Sequence, residues 1–263
     1  MKFLVTAILY ILASFSAFSI TNDSESALIS KADSAYNSDN YESALNLYLQ
    51  AAQNGADDNL LYNIGNTYYR LNQLGKAVLY YERALKLNPT NSDAKLNLEF
   101  VNTKTIDEIS DNRGSFISNT ISDIAKWFTA NTWAVISLII FIFLLLAIAA
   151  YLFSGNIMLK KTGFFGGLIL FFILIITVSL ALYSAFMVKS HDDAVIVSPS
   201  TILSTKPRAP QTRDEEAMLL HEGTKMVILD SINTWDANGN KWYEVAIDNN
   251  HRAWIKDTDI ERI

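Results

Sequence analysis

NLLYNIGNTYYRLNQLGKAVLYYERALKLNP, residues 59–89, is the stretch of this sequence that decides the fold. Its apolar and small residues recur at helical spacing, and a proline follows them. The recurring residues are Leu61, Ile64, Gly65, Tyr68, Ala77, Tyr81 and Ala84, and the proline is Pro89. Gly65 and Ala77 are small enough to let two helices approach each other. The rings of Tyr68 and Tyr81 would fill the space between those helices, and Pro89 would end the second one. The pattern predicts two packed helices.

This pattern resembles the unit of the tetratricopeptide repeat family, which is about 34 residues long. A single unit cannot bury its own apolar face, so neighbouring units are expected. Upstream, the spacing of the second helix recurs at Tyr41, Ala44, Tyr48 and Ala51, and Ala32 takes the small position of the first helix. Downstream, residues 92–101 begin like another first helix, with Leu98 at a packing position, and are expected to cap the stack. We predict an all-α tetratricopeptide repeat domain over residues 24–101.

In the repeat family, the first helices of such a stack form a groove that binds extended or helical peptides. Six aromatic and polar residues are expected to face that groove: Tyr62, Asn63, Asn66, Tyr69, Arg70 and Asn97. Asparagine amides can bind a peptide backbone, and some members of the family add lysine and arginine to grip a C-terminal carboxylate. Here the neighbouring positions are Ile29, Asp33 and Asp93, so that carboxylate clamp is not supported. For each of the six, the alternative is a solvated polar surface.

Two long apolar runs follow, from Trp133 to Phe153 and from Thr162 to Val188, and neither contains a charged residue. Each exceeds the ~20 residues that span a bilayer, so transmembrane helices are predicted at residues 133–153 and 163–187. The short loop between them predicts a hairpin whose two ends lie on the same side of the membrane. Because the runs lack ionisable groups, neither a channel nor a pump is indicated. Three glycines at the start of the second run are interpreted as a loose helix start rather than a close helix contact: Gly163, Gly166 and Gly167.

Residues 1–19 are typical of a secretory signal peptide. Lys2 supplies the positive charge, Phe3 to Phe15 the apolar core, and Ala17-Phe18-Ser19 a cleavage site of small residues. The alternative is an uncleaved anchor helix. Export of the chain, together with Lys160 and Lys161 in the loop between the spans, predicts a multi-pass protein of the inner membrane with both soluble domains on the periplasmic side.

Residues 102–132 are predicted to form a polar linker followed by an amphipathic juxtamembrane helix. Ile117, Ile121, Ile124 and Phe128 recur at helical spacing and would share one face. We expect this helix to lie on the membrane surface. The alternative is a helix that packs on the repeat stack.

Residues 194–263 hold short β-type runs between turn residues, which predicts a small all-β domain. The runs are Ala194–Val197, Lys225–Leu229, Trp242–Ile247 and Ala253–Ile255, and the turns are Glu222–Lys225, Asp236–Gly239 and Asp248–His251. The phrases Leu220–Thr224, Trp242-Tyr243 and Ala253-Trp254-Ile255 resemble the bacterial SH3-like family, which implies a small SH3-like barrel. Trp242 and Trp254 could line a ligand cleft of that barrel, or they could fill its core. Residues 205–216, rich in proline and charge, are expected to form a mobile loop.

Cysteine content, net charge and histidine positions argue against catalysis. The chain has no cysteine, which excludes disulfides and thiolate metal sites. Its net charge of −6 argues against a nucleic-acid partner, which would need a basic surface. His191, His221 and His251 lie in no catalytic or metal-binding motif. The sequence therefore predicts a protein that is not an enzyme and has no cofactor, no metal site and no nucleic-acid partner.

The order of the segments, from signal and repeats to membrane hairpin and SH3-like domain, resembles the BatE family of Bacteroidetes and spirochaetes. That family is named after aerotolerance operons, which also encode membrane proteins with von Willebrand type A domains and an ATPase of the MoxR type. The resemblance implies a multi-domain scaffold of a cell-envelope complex, with other membrane or envelope proteins as partners. One alternative is a cell-wall tether or sensor whose SH3-like domain binds peptidoglycan. Another is assembly of other membrane proteins held by the repeats.

Overall fold

The computed structural model describes residues 25–107, 116–189, 192–232, 236 and 239–263, so the predicted signal at residues 1–19 lies outside them. The repeat region folds into five helices: α1 (25–37), α2 (Tyr41–Ala51), α3 (Asp58–Arg70), α4 (Leu74–Leu87) and α5 (Ser92–Asn102). A 3₁₀ turn, Ala52–Asn54, follows α2. The side chains of Asp57 and Asn91 accept hydrogen bonds from backbone N–H groups in the first turns of α3 and α5, which satisfies donors at the helix ends. The prediction of an all-α N-terminal region is confirmed.

Helices α3 and α4 pack closely against each other at Gly65. A β-carbon at that position would lie 2.7 Å from Cε1 of Tyr81, so the Tyr81 ring fills the space that glycine leaves. Tyr81 is 1% exposed, and Ile64 and Ala77 are fully buried beside it. The alternation of small and aromatic residues in the sequence therefore corresponds to a real helix contact.

Helix α5 closes the described part of the stack. Its buried side chains, Ala94, Leu98 and Val101, lie toward α3 and α4. Helix α3 meets α4 through Leu61, Gly65 and Tyr68. The residues that follow these three by one repeat length, on α5, are Lys95, Glu99 and Asn102, and all of them are exposed. A further second helix would find a polar surface there instead of an apolar one.

Two long apolar helices, α7 (Ala130–Phe153) and α8 (Ile157–Lys189), pack along each other as a hairpin. Their most apolar windows have mean hydropathies of 3.0 and 2.7, and both helices are long and apolar enough to cross a membrane. Ser137 and Leu144 of α7 are buried, as are Thr177 and Ser184 of α8. Within each helix the two residues are one heptad apart, the spacing of a left-handed helix pair.

The glycines of α8 make a closer contact than the sequence interpretation allowed. A β-carbon on Gly163 would lie 2.7 Å from the carbonyl oxygen of Ala147, and one on Gly167 would lie 3.6 Å from the β-carbon of the same residue. The interpretation of a loose helix start is therefore wrong for these two glycines, because their lack of a side chain lets α7 and α8 approach. Gly166, in contrast, has open space where a side chain would be.

Helix α6 (Phe116–Ala125) packs beside α8 and joins α7 through a tight turn. The indole N–H of Trp133 donates to the Ala125 carbonyl at 3.0 Å. Phe128, expected on the apolar face of this helix, instead lies in the turn after the helix ends, with its ring edge-on to Trp133. Ile121 is 44% exposed, and the side chain of Ile117 lies outside the described part.

In the described part of the C-terminal region, seven strands form one antiparallel sheet. They are β1 (Asp193–Ile196), β2 (Ser200–Ser204), β3 (Glu216–His221), β4 (Lys225–Ser231), β5 (Trp242–Ala246), β6 (Arg252–Lys256) and β7 (Ile260–Arg262), in the spatial order β3-β2-β6-β5-β4-β1-β7. The 3₁₀ turns Arg213–Glu215 and Asp257–Asp259 precede β3 and β7. The four predicted runs correspond to β1, β4, β5 and β6, so the prediction of a β region is confirmed. Closure into an SH3-like barrel stays a prediction.

The segment expected to be a mobile loop, residues 205–216, is organised around one carboxylate. Glu215 accepts hydrogen bonds from the Lys206 ammonium and the Arg208 guanidinium, each at 2.7 Å, and from the Gln211 N–H at 3.0 Å. The hydrogen bond from Lys206, followed by the other two, lowers the pKa of Glu215 to about 2. Glu216 already belongs to β3.

The sheet docks on α4, although the hairpin separates the two in sequence. Strand β1 contacts α4, and Val195 and Ile263 belong to the same buried cluster as Val78. Gly75 allows this approach, because a β-carbon there would lie 2.6 Å from the carbonyl oxygen of Ile196. The repeat helices and the sheet therefore share part of their apolar core.

Charged groups hold the sheet at both ends of this contact. The Glu222 carboxylate accepts a hydrogen bond from the Gly75 N–H at 2.8 Å, where the N-terminus of α4 favours a negative charge. Lys225 and Glu82 form an ion pair at 2.9 Å, with both side chains less than a third exposed.

Asp107, which follows the repeat helices, binds the turn between β3 and β4. It accepts hydrogen bonds from the His221 N–H and the Thr224 hydroxyl, each at 2.6 Å, and its second oxygen lies 3.0 Å from Nδ1 of His221. Burial would raise the pKa of Asp107, but the hydrogen bonds from Thr224 and His221 outweigh it and hold the pKa below its usual value. The chain is thus tied to the sheet just before it continues toward the hairpin.

Candidate partner-binding surface

The first helices of the repeat units, α1, α3 and α5, share one face of the stack, whereas the sheet docks on α4. We call this face the groove face and define it by Tyr36, Tyr62, Asn66, Tyr69, Leu96, Asn97 and Phe100, which project from these three helices. Arg70 and Lys104 lie at its rim. Most of its members are aromatic, apolar or amide side chains, which suit contact with a protein chain better than contact with a metal or a phosphate.

The two central amides connect the helices of the stack to each other. The side-chain oxygen of Asn66 accepts hydrogen bonds from the Tyr81 hydroxyl at 2.7 Å and from the Asn97 amide at 2.8 Å. The same Asn97 amide lies 3.2 Å from the Tyr62 hydroxyl. Burial raises the pKa of Tyr81 above its usual value, so its hydroxyl stays protonated and continues to donate. Asn66 and Asn97 therefore position the helices of the groove face. Only the hydrogen-bonding groups of their amides that these contacts leave unused can bind a ligand.

Arg70 lies at the α1 side of the groove face. Its guanidinium carbon is 4.4 Å from the centre of the Tyr41 ring and 5.9 Å from that of Tyr36. It also pairs with Asp39 at 3.3 Å, but both side chains are well exposed, so this ion pair contributes little to stability. The arrangement holds Arg70 in place without burying its charge.

At the opposite side, Tyr69 and Phe100 meet edge to face with their centres 5.8 Å apart. The Lys104 ammonium donates to the Tyr69 hydroxyl at 2.8 Å and lies 4.7 Å from the centre of the Phe100 ring. These contacts join the end of α3 to α5 and place a cation beside two aromatic rings.

The structure places five of the six predicted residues on the groove face or at its rim. Tyr62, Asn66 and Asn97 form the amide network, and Tyr69 and Arg70 flank it at the two sides. The side chain of Asn63 is half-buried, and its backbone oxygen accepts a hydrogen bond from the Thr67 hydroxyl. A role for any of the six in ligand contact stays a prediction.

Sequence reasoning missed the most exposed apolar side chains of the groove face. Leu96 is 62% exposed and Phe100 is 50% exposed, although both lie on a helix that buries Leu98 and Val101. Two large apolar side chains exposed on one face of the stack indicate a contact surface. The signal was present in the sequence, because Leu96 and Phe100 follow Tyr62 and Asn66 by one repeat length.

Comparison with known families identifies the central helix pair. Residues 59–91 match the tetratricopeptide repeat family. The match spans α3, α4 and the turn that leads to α5, and tetratricopeptide repeats generally mediate protein–protein interaction. A search of curated proteins found no match to this chain. The resemblance to the BatE family therefore rests on the order of segments.

The two tryptophans considered for a cleft in the sheet have different environments. Trp242 is 4% exposed, and its indole N–H donates to the Asp236 carboxylate at 2.9 Å. This is the environment of a core aromatic with its polar group satisfied. Trp254 is half-buried on β6, opposite Ser204 of β2 and Glu244 of β5.

The histidines of the described residues have structural partners. His221 binds Asp107, and Nδ1 of His251 lies 2.7 Å from the Asp248 carboxylate. The hydrogen bond from His251 lowers the pKa of Asp248. Among the described residues, no group of three or more histidine or acidic side chains could hold a metal ion. His191 lies outside them, and the absence of catalysis stays a prediction.

Proposed function

We propose that this chain is a membrane-anchored scaffold of a cell-envelope complex, whose groove face binds a partner protein outside the cytoplasm. The observation that carries the proposal is the exposure of Leu96 and Phe100 on the groove face of a tetratricopeptide repeat. The docked sheet lies against α4 and leaves that face accessible. Burial of one such side chain by a partner would contribute about 1.5–3 kcal/mol.

Membrane anchoring is supported by the two long apolar helices and by the contact between the domains that flank them. The repeat helices precede the hairpin and the sheet follows it, yet the sheet packs on α4. If α7 and α8 both cross a bilayer, this contact requires the two domains to lie on the same side. Lys160 and Lys161, which the sequence placed in the loop, lie in the first turns of α8 beside that loop. Their charge favours a cytoplasmic side for the loop and hence periplasmic domains.

The partner class follows from the groove face and from the BatE resemblance together. Aromatic and apolar side chains around an amide network suit a peptide segment or helix of another envelope protein. The resemblance suggests membrane proteins with von Willebrand type A domains. The cell-wall tether has less support, because Trp242 is a core residue and part of the sheet is covered by α4.

Removal of the two exposed apolar side chains is expected to weaken partner capture strongly. We would replace Leu96 and Phe100 by serine in the tagged full-length chain, crosslink in cells and compare the recovered proteins by quantitative mass spectrometry. Loss of two buried side chains should reduce specific capture at least about tenfold. The matched control is Lys95→Ser with Glu99→Ser, which changes the polar side of the same helix without changing net charge. Equal recovery of the same partners by both double variants would contradict the proposal.

The orientation can be tested with single cysteines, because the chain has none of its own. Cysteine would replace Ser92 in α5, Ser154 in the hairpin loop or Ser231 in β4, and intact spheroplasts would be treated with an impermeant maleimide. We expect labelling at positions 92 and 231, and labelling at 154 only after lysis. Labelling at 154 alone would reverse the orientation, and equal labelling at all three would argue against a spanning hairpin.

A further inference from the structure

An open cleft of about 290 Å³ lies at the end of the hairpin where α7 and α8 are joined, and we call it the loop-end cleft. Two cations and four apolar or aromatic side chains line it: Lys160, Lys161, Tyr151, Ile157, Phe164 and Phe165. None of these residues belongs to the groove face. Cations beside an apolar wall form an amphipathic site, suited to a ligand with an anionic group and a hydrocarbon part.

The aromatic wall of the loop-end cleft is built by close contact between the two helices. A β-carbon on Gly163 would lie 3.0 Å from the Tyr151 backbone nitrogen, so α8 approaches the end of α7 there. The Phe164 ring centre lies 5.8 Å from that of Tyr151 and 5.4 Å from that of Phe165. Tyr151 is 45% exposed, Phe164 53% and Phe165 62%. Three adjoining rings therefore present apolar surface that the described residues leave open.

The two lysines of the loop-end cleft have no acidic partner among the described residues. Between Asp123 and Asp192 the sequence contains no aspartate or glutamate. Helix α7 alone extends about 36 Å at 1.5 Å per residue, and it separates Asp123 from the loop. The Lys160 and Lys161 side chains are exposed and form no hydrogen bond or ion pair with any residue that the structure describes. An anion that neutralises them therefore comes from outside the chain.

The opposite end of the hairpin has a balanced charge. Lys126 lies 4.0 Å from the Asp123 carboxylate, and Lys189 shortly precedes Asp192. Along α8 the rise from Lys161 to Lys189 is about 42 Å, which matches the ~40–45 Å thickness of a bilayer with its headgroups. In a bilayer that α8 crosses, the loop-end cleft therefore lies at the headgroup level of one leaflet with an uncompensated positive charge.

We propose that the loop-end cleft binds an anionic phospholipid, with the phosphate at Lys160 and Lys161 and an acyl chain along Phe164 and Phe165. Basic sites between membrane helices bind anionic headgroups. The exposed rings favour a lipid over a soluble phosphate, because a soluble anion would leave them uncovered. This inference rests on the proposed insertion of α7 and α8 in a membrane. A bound lipid would fix the level of the hairpin in the bilayer.

The test is lipid retention by the full-length chain. The protein would be purified from a mixture of phosphatidylglycerol and phosphatidylcholine with identical acyl chains, and the retained lipids counted by native mass spectrometry. We expect the preference for phosphatidylglycerol to fall about fivefold for each lysine removed, in Lys160→Gln, in Lys161→Gln and in the double variant. Lys160→Arg with Lys161→Arg keeps both charges and should keep the preference. The matched control, Lys126→Gln with Lys189→Gln, removes two charges at the opposite end of the hairpin and should also keep it.

The results that would overturn the inference are distinguishable. An equal fall in the double variant of the cleft and in the matched control would assign the preference to positive charge in general. Displacement of phosphatidylglycerol by inorganic phosphate at equal concentration would show a site for soluble phosphate instead of lipid. Recovery of the chain outside the membrane fraction after alkaline extraction would refute membrane insertion itself. An unchanged preference in the double variant, with the chain still in the membrane fraction, would refute only the lipid site.

Discussion

Gly65→Val is expected to unfold the repeat helices locally. A β-carbon at Gly65 would lie 2.7 and 2.8 Å from two ring atoms of Tyr81. That ring is 1% exposed and its hydroxyl is bonded to Asn66, so it has little room to move. Overpacking of this kind costs about 3 kcal/mol, which would raise amide hydrogen exchange in α3 and α4 about a hundredfold. Exchange in α7, measured on the same full-length protein, should not change.

A second substitution tests whether the clash is the cause. Tyr81→Leu removes the ring atoms that a side chain at Gly65 would meet. In a double-mutant cycle, Gly65→Val should therefore cost less in the Tyr81→Leu background than in the wild type. Additive effects of the two substitutions would show that Gly65 does not set the contact between α3 and α4.

Gly75→Ala is expected to undock the sheet from α4 while it stabilises α4 itself. Alanine favours a helix over glycine by about 1 kcal/mol. Its β-carbon, however, would lie 2.6 Å from the Ile196 carbonyl oxygen and 3.2 Å from the Gly223 backbone nitrogen. Backbone atoms cannot rotate away as a side chain can, so we expect docking to weaken by about 2–3 kcal/mol, or about 30- to 100-fold.

Spin labels on introduced cysteines at Lys95 and Arg252 would measure that change as a distance distribution between α5 and β6. The wild-type distribution should be narrow, and the Gly75→Ala distribution should be broad and shifted to longer distances. Gly75→Ala should stabilise α4 and weaken docking of the sheet. This combination is an internal control, because a general loss of stability would destabilise α4 as well. A narrow, unchanged distribution in Gly75→Ala would contradict the docking of the sheet on this helix.

The sequence predicted those parts of the fold that leave a local, periodic pattern. Gly65, Ala77 and Tyr81 recur at fixed helical spacing, so the helix pair could be derived from local sequence. The two apolar helices were predictable because a long run of residues without charge is enough to predict a helix that can span a bilayer. Three strands were missed: β7 has only three residues, β3 follows directly on a charged 3₁₀ turn, and β2 has serine at both ends.

The docking of the sheet left no such pattern. Gly75 and Glu222 are hydrogen-bonded although they lie 147 residues apart in the sequence. From sequence alone, a glycine within a helix is interpreted as a residue that destabilises that helix. Its role in docking becomes evident only from the backbone that packs against it.

The groove face was only partly predictable for a different reason. Repeat spacing placed Asn66 and Asn97 on the correct helices, but it could not show that their amides bond to each other. It also treated α5 as a cap, so the apolar residues Leu96 and Phe100 were not considered. The exposure of Leu96 and Phe100 indicates a binding surface only in the structure, where the polar side of the same helix, Lys95 and Glu99, faces away from the stack.

The most direct test of the central claim is in-cell photocrosslinking from the groove face. A photoreactive residue at Leu96 reports on that face, and one at Lys95 reports on the adjacent polar side of the same helix. The proposed scaffold predicts one or two recurrent envelope proteins crosslinked from position 96 and absent from position 95. Identical products from both positions, or none from position 96, would contradict partner binding by the groove face.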